Sequence, residues 1–237
     1  LWRNSFSTVA KHHFVSLARN PRIHRFRFTN AMLNERLDQW GYFSIGSASG
    51  FFSADGYKNN QVEFGIDPQN LKHFPTYLDG SIDHQFKNQY NINDLRISHA
   101  LVNVVLESNY ERLVEQSNLE DYTWRVPFIT EKTAKAFALG QIPLILGPRR
   151  QVALTKELGF DLFEDIIDVS YDSELDPNLR IKLFTNSLKK FIDSNPVETL
   201  QDLKTKLMPR FTKNHQLAQQ FCYNTITEEI KQTLKRL

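Results

Sequence analysis

Residues 128–147 read Phe-Ile-Thr-Glu-Lys-Thr-Ala-Lys-Ala-Phe-Ala-Leu-Gly-Gln-Ile-Pro-Leu-Ile-Leu-Gly, and this stretch predicts a helix followed by a buried strand. Thr130 is a good N-cap, the nine residues after it favour a helix, and Gly140 suits the position just past the helix end. A short apolar strand then begins at Pro143. Lys132 lies in the first turn of the helix, where the helix dipole favours anions over cations. An anion bound between Lys132 and the helix N-terminus would explain a lysine at this position.

Segments upstream of this stretch predict further strands of one sheet. Residues 13–17 read as a short buried strand, a helix is predicted over residues 21–37, and residues 42–45 read as the next strand. Strand, helix and strand at these lengths are typical of a parallel βαβ unit. Residues 100–107 are apolar and rich in valine, with Asn103 and Glu107 as the two polar residues, as strands buried on both faces of a parallel sheet are. The sequence therefore predicts an α/β fold with a Rossmann-like parallel sheet flanked by helices.

The chain is predicted to contain an α/β domain and a helical C-terminal region. Residues 1–176 are assigned to the Rossmann-like domain, with an irregular insertion at about 46–94, where Gly, Asn, Asp and Pro are scattered among aromatic residues. Residues 177–237 are expected to pack on the same domain as a helical extension. Three helices are predicted there, over residues 178–192, 197–207 and 211–237, with Pro209 separating the last two.

The composition is that of an ordinary globular protein, with 41% hydrophobic and 24% charged residues. The net charge is only +2, yet residues 1–34 contain six Lys or Arg residues and no Asp or Glu. A local basic face favours an anionic ligand, whereas bulk nucleic-acid binding usually needs a larger overall excess of charge. A nucleic-acid partner is therefore not expected. The sequence contains no Gly-x-Gly-x-x-Gly or Walker motif, which argues against a dehydrogenase or a phosphate-loop NTPase.

The cysteine and histidine residues indicate which cellular compartment the protein suits and whether a metal site is expected. Cys222 is the only cysteine, so no disulfide framework is expected, and a reducing compartment, the cytoplasm, is the simplest interpretation. The histidines show no spacing typical of a metal site, and no metal or separate cofactor is expected. No apolar run approaches the ~20 residues that span a bilayer, so no transmembrane segment is predicted.

Charged and polar residues are predicted to meet at the carboxyl edge of the sheet, where open α/β folds bind ligands. The residues that we assign to this edge are Arg19, Arg22, Arg25, Glu107, Ser108, Asn109, Thr130, Glu131 and Lys132. Arginine offers a forked donor to phosphate, lysine offers a point charge, and a helix N-terminus adds backbone N–H groups. Glu131 is placed to accept hydrogen bonds from ribose hydroxyls. The set predicts a binding site for a nucleoside diphosphate.

A simpler interpretation of each of these residues stays open. Residues 130–132 could be a capped helix start in solvent, and the N-terminal arginines could form a solvated face. Glu107 could simply pair with a neighbouring Lys or Arg.

The motif itself resembles a known family. Phe-Ile-Thr-Glu-Lys at 128–132, preceded by Leu-Glu-Ser at 106–108 and followed by Ala-Leu-Gly-Gln-Ile-Pro-Leu-Ile-Leu-Gly-Pro at 138–148, resembles the donor-binding half of glycosyltransferase family 10. This is the fucosyltransferase family, whose motif reads aromatic-Val-Thr-Glu-Lys and then Ala-Gly-x-x-Pro-Val. The chain is also similar to uncharacterised fucosyltransferase-like proteins of phages and marine microbes. The resemblance covers residues 100 to about 176, with a weaker match over 13–34.

The resemblance implies one half of a GT-B fold and a metal-independent, inverting transfer of a sugar. The donor would be a nucleotide-diphosphate sugar, GDP-fucose by resemblance, and the acceptor a glycan or another hydroxyl compound. Lys132 would hold the donor diphosphate and Glu131 its ribose, while Arg25, or Arg22 in its place, would be the second phosphate ligand. Phe128 stands where the family often has Tyr, and Ser108 where it often has Asn. Together with Glu107, both are assigned to the ribose or base side of the donor.

The sequence departs from the family at the catalytic base, which in the family lies in an N-terminal domain. Only about a dozen residues precede the first predicted strand here, and the chain begins with Leu1 instead of Met. We therefore assign the role of catalytic base to no residue and single out only Glu63, Asp79 and Asp83 for testing. A non-catalytic nucleotide-sugar-binding module, or an isolated donor domain, is the alternative interpretation.

Overall fold

A computed structural model describes residues 6–18, 22–45, 66–74, 76, 95–108, 110 and 130–234, with the backbone alone from 221 onward. In this part of the chain the sheet has four strands, all parallel, in the order β2-β1-β3-β4. The strands are β1 (His12–Ala18), β2 (Gly41–Ile45), β3 (Ala100–Leu106) and β4 (Ile142–Leu146). The predicted α/β fold with a parallel sheet is confirmed.

Six α-helices accompany the sheet in the described residues. They are α1 (Ile23–Asn34), α2 (Leu95–Ser98), α3 (Glu131–Ala138), α4 (Gln151–Glu157), α5 (Pro177–Ser194) and α6 (Leu200–Leu234). The chain moves from β1 to β2 in one direction across the sheet and from β3 to β4 in the other. Right-handed crossovers therefore place α1 and α3 on opposite faces. Helix α5 packs against α1 and helix α6 against α3, so the helical C-terminal region covers both faces.

The core follows from the apolar strands that the sequence contains. All seven residues of β3 and all five of β4 are buried. Asn103, the one polar residue of β3, donates from its side-chain amide to the side-chain carbonyl of Gln141 at 2.7 Å, and Gln141 in turn donates to the Ala100 carbonyl. This pairing satisfies two buried amides that would otherwise cost free energy.

Helix α3 has the predicted ends, whereas the C-terminal helices differ from the prediction. Thr130 caps α3 by accepting the Lys132 N–H, and Gly140 has a φ of +65° just past the helix end. The predicted break at Pro209 is wrong, because α6 continues through it. A proline inside a helix costs about 3 kcal/mol. Leu207 and Phe211 are buried on either side of the exposed Pro209, and their packing holds the helix together across it.

The strand order creates a topological switch point at the carboxyl edge of the sheet, by which we mean the edge where the four strands end. The chain leaves β1 toward β2 on one side, whereas β3 and β4 lie on the other side. The switch point therefore lies between the ends of β1 and β3, which is where open α/β sheets bind ligands. Residues just after β3, and those at the starts of α1 and α3, lie at this point.

Candidate functional site

Glu107 is the first residue after β3, and its carboxylate joins the sheet to α3. One oxygen accepts the Thr130 hydroxyl and the other accepts the Thr133 hydroxyl, both at 2.6 Å. The side chain is 1% exposed. The sequence placed Glu107 on the ribose or base side of the ligand, with pairing to a Lys or Arg as the alternative. Its carboxylate lies at the N-terminus of α3, where the helix dipole stabilises it.

This arrangement leaves less of the α3 N-terminus for a ligand than the sequence indicated. The Thr130 hydroxyl accepts the Lys132 N–H at 3.1 Å and donates to Glu107, so one backbone donor of the first turn is already satisfied. The Glu107 carboxylate also offsets the positive end of the helix dipole. A bound anion at this edge would therefore depend mainly on the side-chain cations.

Lys132 directs its ammonium group toward the end of β3. The Nζ atom donates to the Ser108 hydroxyl oxygen at 3.1 Å and to the Glu131 carboxylate at 2.6 Å. The Lys132 side chain is 27% exposed, whereas that of Glu131 is 69% exposed. The structure thus brings together three residues that the sequence assigned to the site, and the ammonium group is both held in place and accessible to solvent.

The Glu131 carboxylate is kept ionised by its surroundings. Partial burial acts to raise its pKa, but the hydrogen bond and charge of Lys132, with a further contribution from Arg25, leave the pKa below its ordinary value. Two separate cations therefore act on this carboxylate, one from α3 and one from α1. This places Arg25 and Lys132 within electrostatic range of the same group.

Arg25 lies in the first turn of α1 and is 2% exposed. Its Nη2 atom donates to the carbonyl oxygens of Leu106 at 2.9 Å and Glu107 at 3.1 Å, so the guanidinium fastens α1 to the end of β3. Burial, and to a smaller extent Arg22, lower the Arg25 pKa to about 10, while Glu107 and Glu131 act in the opposite direction. The guanidinium is still charged at neutral pH, and it lies at the switch point.

Arg22, the alternative phosphate ligand, occupies the N-cap position of α1. Its backbone carbonyl accepts the N–H groups of Arg25 and Phe26. The side chain is exposed and makes no capping hydrogen bond. Arg25 is thus fixed within the edge and Arg22 extends into solvent beside it, so both remain candidates for contact with an anion.

Three residues at this edge were not identified from the sequence as part of the site: His24, Tyr110 and Arg180. The Tyr110 ring stacks on the His24 imidazole, with 4.8 Å between ring centroids, and its hydroxyl donates to the Pro177 carbonyl at 2.6 Å. The Arg180 guanidinium carbon lies 5.6 Å from the Tyr110 ring centroid. Arg180 is a cation in the first turn of a helix, the same signal that singled out Lys132, and it could have been found in that way.

Several predicted residues lie outside the part of the chain that the structure describes. These are Arg19, Glu63, Asp79, Asp83, Asn109 and Phe128. The aromatic contact to a base that was assigned to Phe128 therefore stays a prediction, as do the three carboxylates singled out for testing.

Within the described ranges, no group of three His, Cys, Asp or Glu side chains is placed to hold a metal ion. No helix in those ranges is both long enough and apolar enough to cross a bilayer. Comparisons of the chain with protein-family profiles, with curated proteins and with solved structures gave no match.

Proposed function

We propose that the carboxyl edge of the sheet binds the diphosphate of a nucleotide sugar, and that the protein is a fucosyltransferase-like glycosyltransferase or the donor-binding part of one. The observation that carries the proposal is the placement of two cations from different helices, Arg25 and Lys132, around the end of β3. Both act on Glu131. Two cations hydrogen-bonded to consecutive residues at the end of one strand, beside a topological switch, are suited to a phosphate group.

The charges at the edge leave room for an anion. Of the described residues assigned to the edge above, Arg22, Arg25, Lys132 and Arg180 bring four positive charges, whereas Glu107 and Glu131 bring two negative ones. The Glu131 side chain of the Glu131–Lys132 ion pair is exposed, and exposed ion pairs contribute only about 0–1 kcal/mol to stability. A diphosphate can therefore replace Glu131 as the partner of Lys132 at small cost. The released carboxylate is then available to the ribose hydroxyls of the same ligand.

In the transfer reaction that the resemblance implies, an acceptor hydroxyl attacks the sugar carbon that bears the diphosphate. The new carbon–oxygen bond forms as the bond to the diphosphate oxygen breaks, and the electron pair stays on the leaving diphosphate. Arg25 and Lys132 stabilise the charge that develops there, and they are already oriented before reaction. The hydroxyl proton passes to a base that is not among the residues identified at this edge.

The test is calorimetric titration of the protein with GDP, UDP and GDP-fucose. Lys132→Ala is compared with Lys156→Ala, which removes a lysine that is 59% exposed on α4. We expect at least one of these ligands to bind, and Lys132→Ala to weaken binding about tenfold or more, because a charge-assisted hydrogen bond contributes about 1.5–3 kcal/mol. Absence of binding to all three at millimolar concentration would overturn the proposal.

A non-catalytic nucleotide-sugar-binding module is the second candidate, since the roles proposed for the residues at the edge are to bind a donor and include no catalytic base. Hydrolysis of the donor, or transfer of its sugar to an added glycan, separates the two candidates. A binding module would bind the donor without hydrolysing it and without transferring its sugar. The acceptor, the identity of the sugar and a cytoplasmic location belong to the proposal as well, the last because Cys222 is the only cysteine.

A further inference from the structure

The segment that leaves β3 is held from both faces of the sheet. We call it the exit segment, and the structure describes three of its residues, Glu107, Ser108 and Tyr110. The first two interact with α3, through Thr130 and Thr133 for Glu107 and through Lys132 for Ser108. The third interacts with α1 and α5 on the other face. The exit segment therefore connects the two helix layers across the proposed site.

Tyr110 makes three different contacts with those two helices. Its hydroxyl donates to the Pro177 carbonyl at the start of α5, and its ring stacks on His24 of α1 at an interplanar angle of 20°. The Arg180 guanidinium lies 5.6 Å from the ring centroid. A tyrosine loses few rotatable bonds when it is fixed, so these contacts restrain the backbone at position 110 at low entropic cost.

The groups that hold Tyr110 are themselves fixed and buried. His24 is 5% exposed, and one of its ring nitrogens lies 3.0 Å from the Glu107 carbonyl oxygen. Arg180 is 1% exposed and donates to the Glu174 carbonyl through both Nε and Nη2. Burial, together with the charges of Arg25 and Arg22, lowers the His24 pKa to about 3, so the imidazole is neutral at physiological pH. It can stack on Tyr110 without adding a further cation to the edge.

Ser108 is only two residues before Tyr110, and its hydroxyl oxygen is an acceptor of the Lys132 ammonium. A lysine side chain carries about 2 kcal/mol of rotamer entropy, which opposes ligand binding unless the side chain is already restrained. The Ser108 hydroxyl supplies part of that restraint, and it is the part that would remain when a diphosphate replaces Glu131 as the partner of Lys132. Because the chain is short between the two residues, fixing position 110 limits how far Ser108 can move.

We propose that Tyr110 is a positioning residue for the anion site: anchored to α1 and α5, it keeps the Ser108 hydroxyl where the Lys132 ammonium group donates to it. The consequence for ligand affinity rests on the proposed function. The coupling between Tyr110 and Lys132 does not, because it is a property of the protein without ligand.

The experiment measures both properties in Tyr110→Ala, in Tyr110→Phe and in Tyr42→Ala, which removes a 40% exposed tyrosine on β2. Limiting acetylation followed by mass spectrometry gives the labelling rate of Lys132 relative to Lys190, which is 72% exposed on α5. Titration with GDP gives the affinity. Thermal melting shows whether each variant is folded at the temperature used.

Tyr110→Ala is expected to raise the relative labelling of Lys132 and to weaken GDP binding, each about fivefold, because the restraint on the lysine is lost. Tyr110→Phe keeps the ring on His24 but loses the bond to Pro177, and a change of about twofold is expected. Tyr42→Ala should change neither quantity.

Unchanged labelling of Lys132 in folded Tyr110→Ala would overturn the inference. If that variant does not fold, Tyr110→Phe decides: a lower melting temperature with unchanged labelling would show that Tyr110 stabilises the fold without positioning Lys132. If the wild-type protein binds no GDP while labelling changes as expected, the proposed function fails and the coupling of Tyr110 to Lys132 stands.

Discussion

Replacing Lys204 by methionine is expected to change how stability depends on pH. Lys204 lies on α6 and is 0% exposed. Its ammonium donates to the carbonyl of Gly140, just past the end of α3. Its Nζ atom lies 4.3 Å from the Phe211 ring centroid and 6.0 Å from that of Phe6. Burial lowers its pKa from 10.5 to about 7. The folded protein therefore binds this proton much more weakly than the unfolded chain does.

The sign and size of the effect follow from proton linkage. Below pH 7 both states carry the proton, and the cost of burying the charge is fully present. Between pH 7 and 10.5 the unfolded chain holds a proton that the folded protein has released, so the free energy of unfolding rises with pH. A pKa difference of about 3.5, at about 1.4 kcal/mol per unit, amounts to about 5 kcal/mol, of which about 2 kcal/mol appears between pH 7 and 9.

Methionine has a similar length and no charge, so Lys204→Met removes this rise. The variant also loses the bond to Gly140 and the contacts of the ammonium with the two rings, which together cost about 2–3 kcal/mol. We expect the variant to be more stable than wild type at pH 7 and this advantage to shrink by pH 9, where Lys204 of the folded wild type is neutral. The difference in free energy of unfolding should change by about 2 kcal/mol between these pH values.

The assay is urea unfolding of both proteins at pH 7, 8 and 9, with Lys206→Met as the control. Lys206 lies on the same helix two residues further along and is exposed, and its replacement should give a difference from wild type that does not vary with pH. A difference between Lys204→Met and wild type that stays constant from pH 7 to 9 would refute the reasoning. It would mean that the Lys204 ammonium remains charged in the folded protein.

Three further substitutions test the sheet and its carboxyl edge. Thr133→Val removes a hydroxyl that donates to the buried Glu107 carboxylate, and should lower the free energy of unfolding by about 1.5–3 kcal/mol in urea denaturation. The control is Thr212→Val, because Thr212 is exposed and its replacement should change the free energy of unfolding by less than about 1 kcal/mol. Gly41→Ala places a methyl carbon 2.4 Å from the Phe14 carbonyl oxygen, so it should cost about 2–4 kcal/mol by the same assay, and a neutral result would contradict the β1–β2 register. Arg25→Lys keeps the charge but loses the planar guanidinium, whose Nη2 atom donates to the Leu106 and Glu107 carbonyls, and should weaken GDP binding about tenfold in calorimetry. Unchanged affinity would remove Arg25 from the site.

The sheet could be predicted from the sequence because the pattern of apolar residues within each strand indicates a buried strand. Residues 100–107 are apolar without alternation, and only a strand covered on both faces suits that pattern. The two ends of α3 were equally predictable, since Thr130 suits an N-cap and Gly140 suits the position just past the helix. Both signals depend on neighbours in sequence and on nothing more distant.

The continuous helix α6 could not be predicted in the same way. Pro209 is a strong local signal for a break, and the packing of Leu207 and Phe211 that outweighs it depends on residues far away in the sequence. Propensity is a weak prior wherever tertiary packing opposes it.

The candidate site was predictable in its charged residues but not in their partners. Lys132 was found because a cation in the first turn of a helix is unusual, whereas Arg25 was found from its place after the first predicted strand and from the family resemblance. That Glu107 would bond to two threonine hydroxyls, and that Tyr110 would stack on His24, depends on where α1 and α3 lie across the sheet. Pairings of this kind appear only once the helices are placed.

The central claim is that a nucleoside diphosphate binds at the carboxyl edge of the sheet, and nuclear magnetic resonance tests it most directly. GDP is titrated into uniformly ¹⁵N-labelled protein, and the shifts of the backbone amide signals are mapped. We predict that the largest changes fall at Arg25, at Ser108 and at residues 130–133, with little change at the opposite edge around Gly140. Changes centred on that opposite edge or along α6, or none at millimolar GDP, would contradict the account.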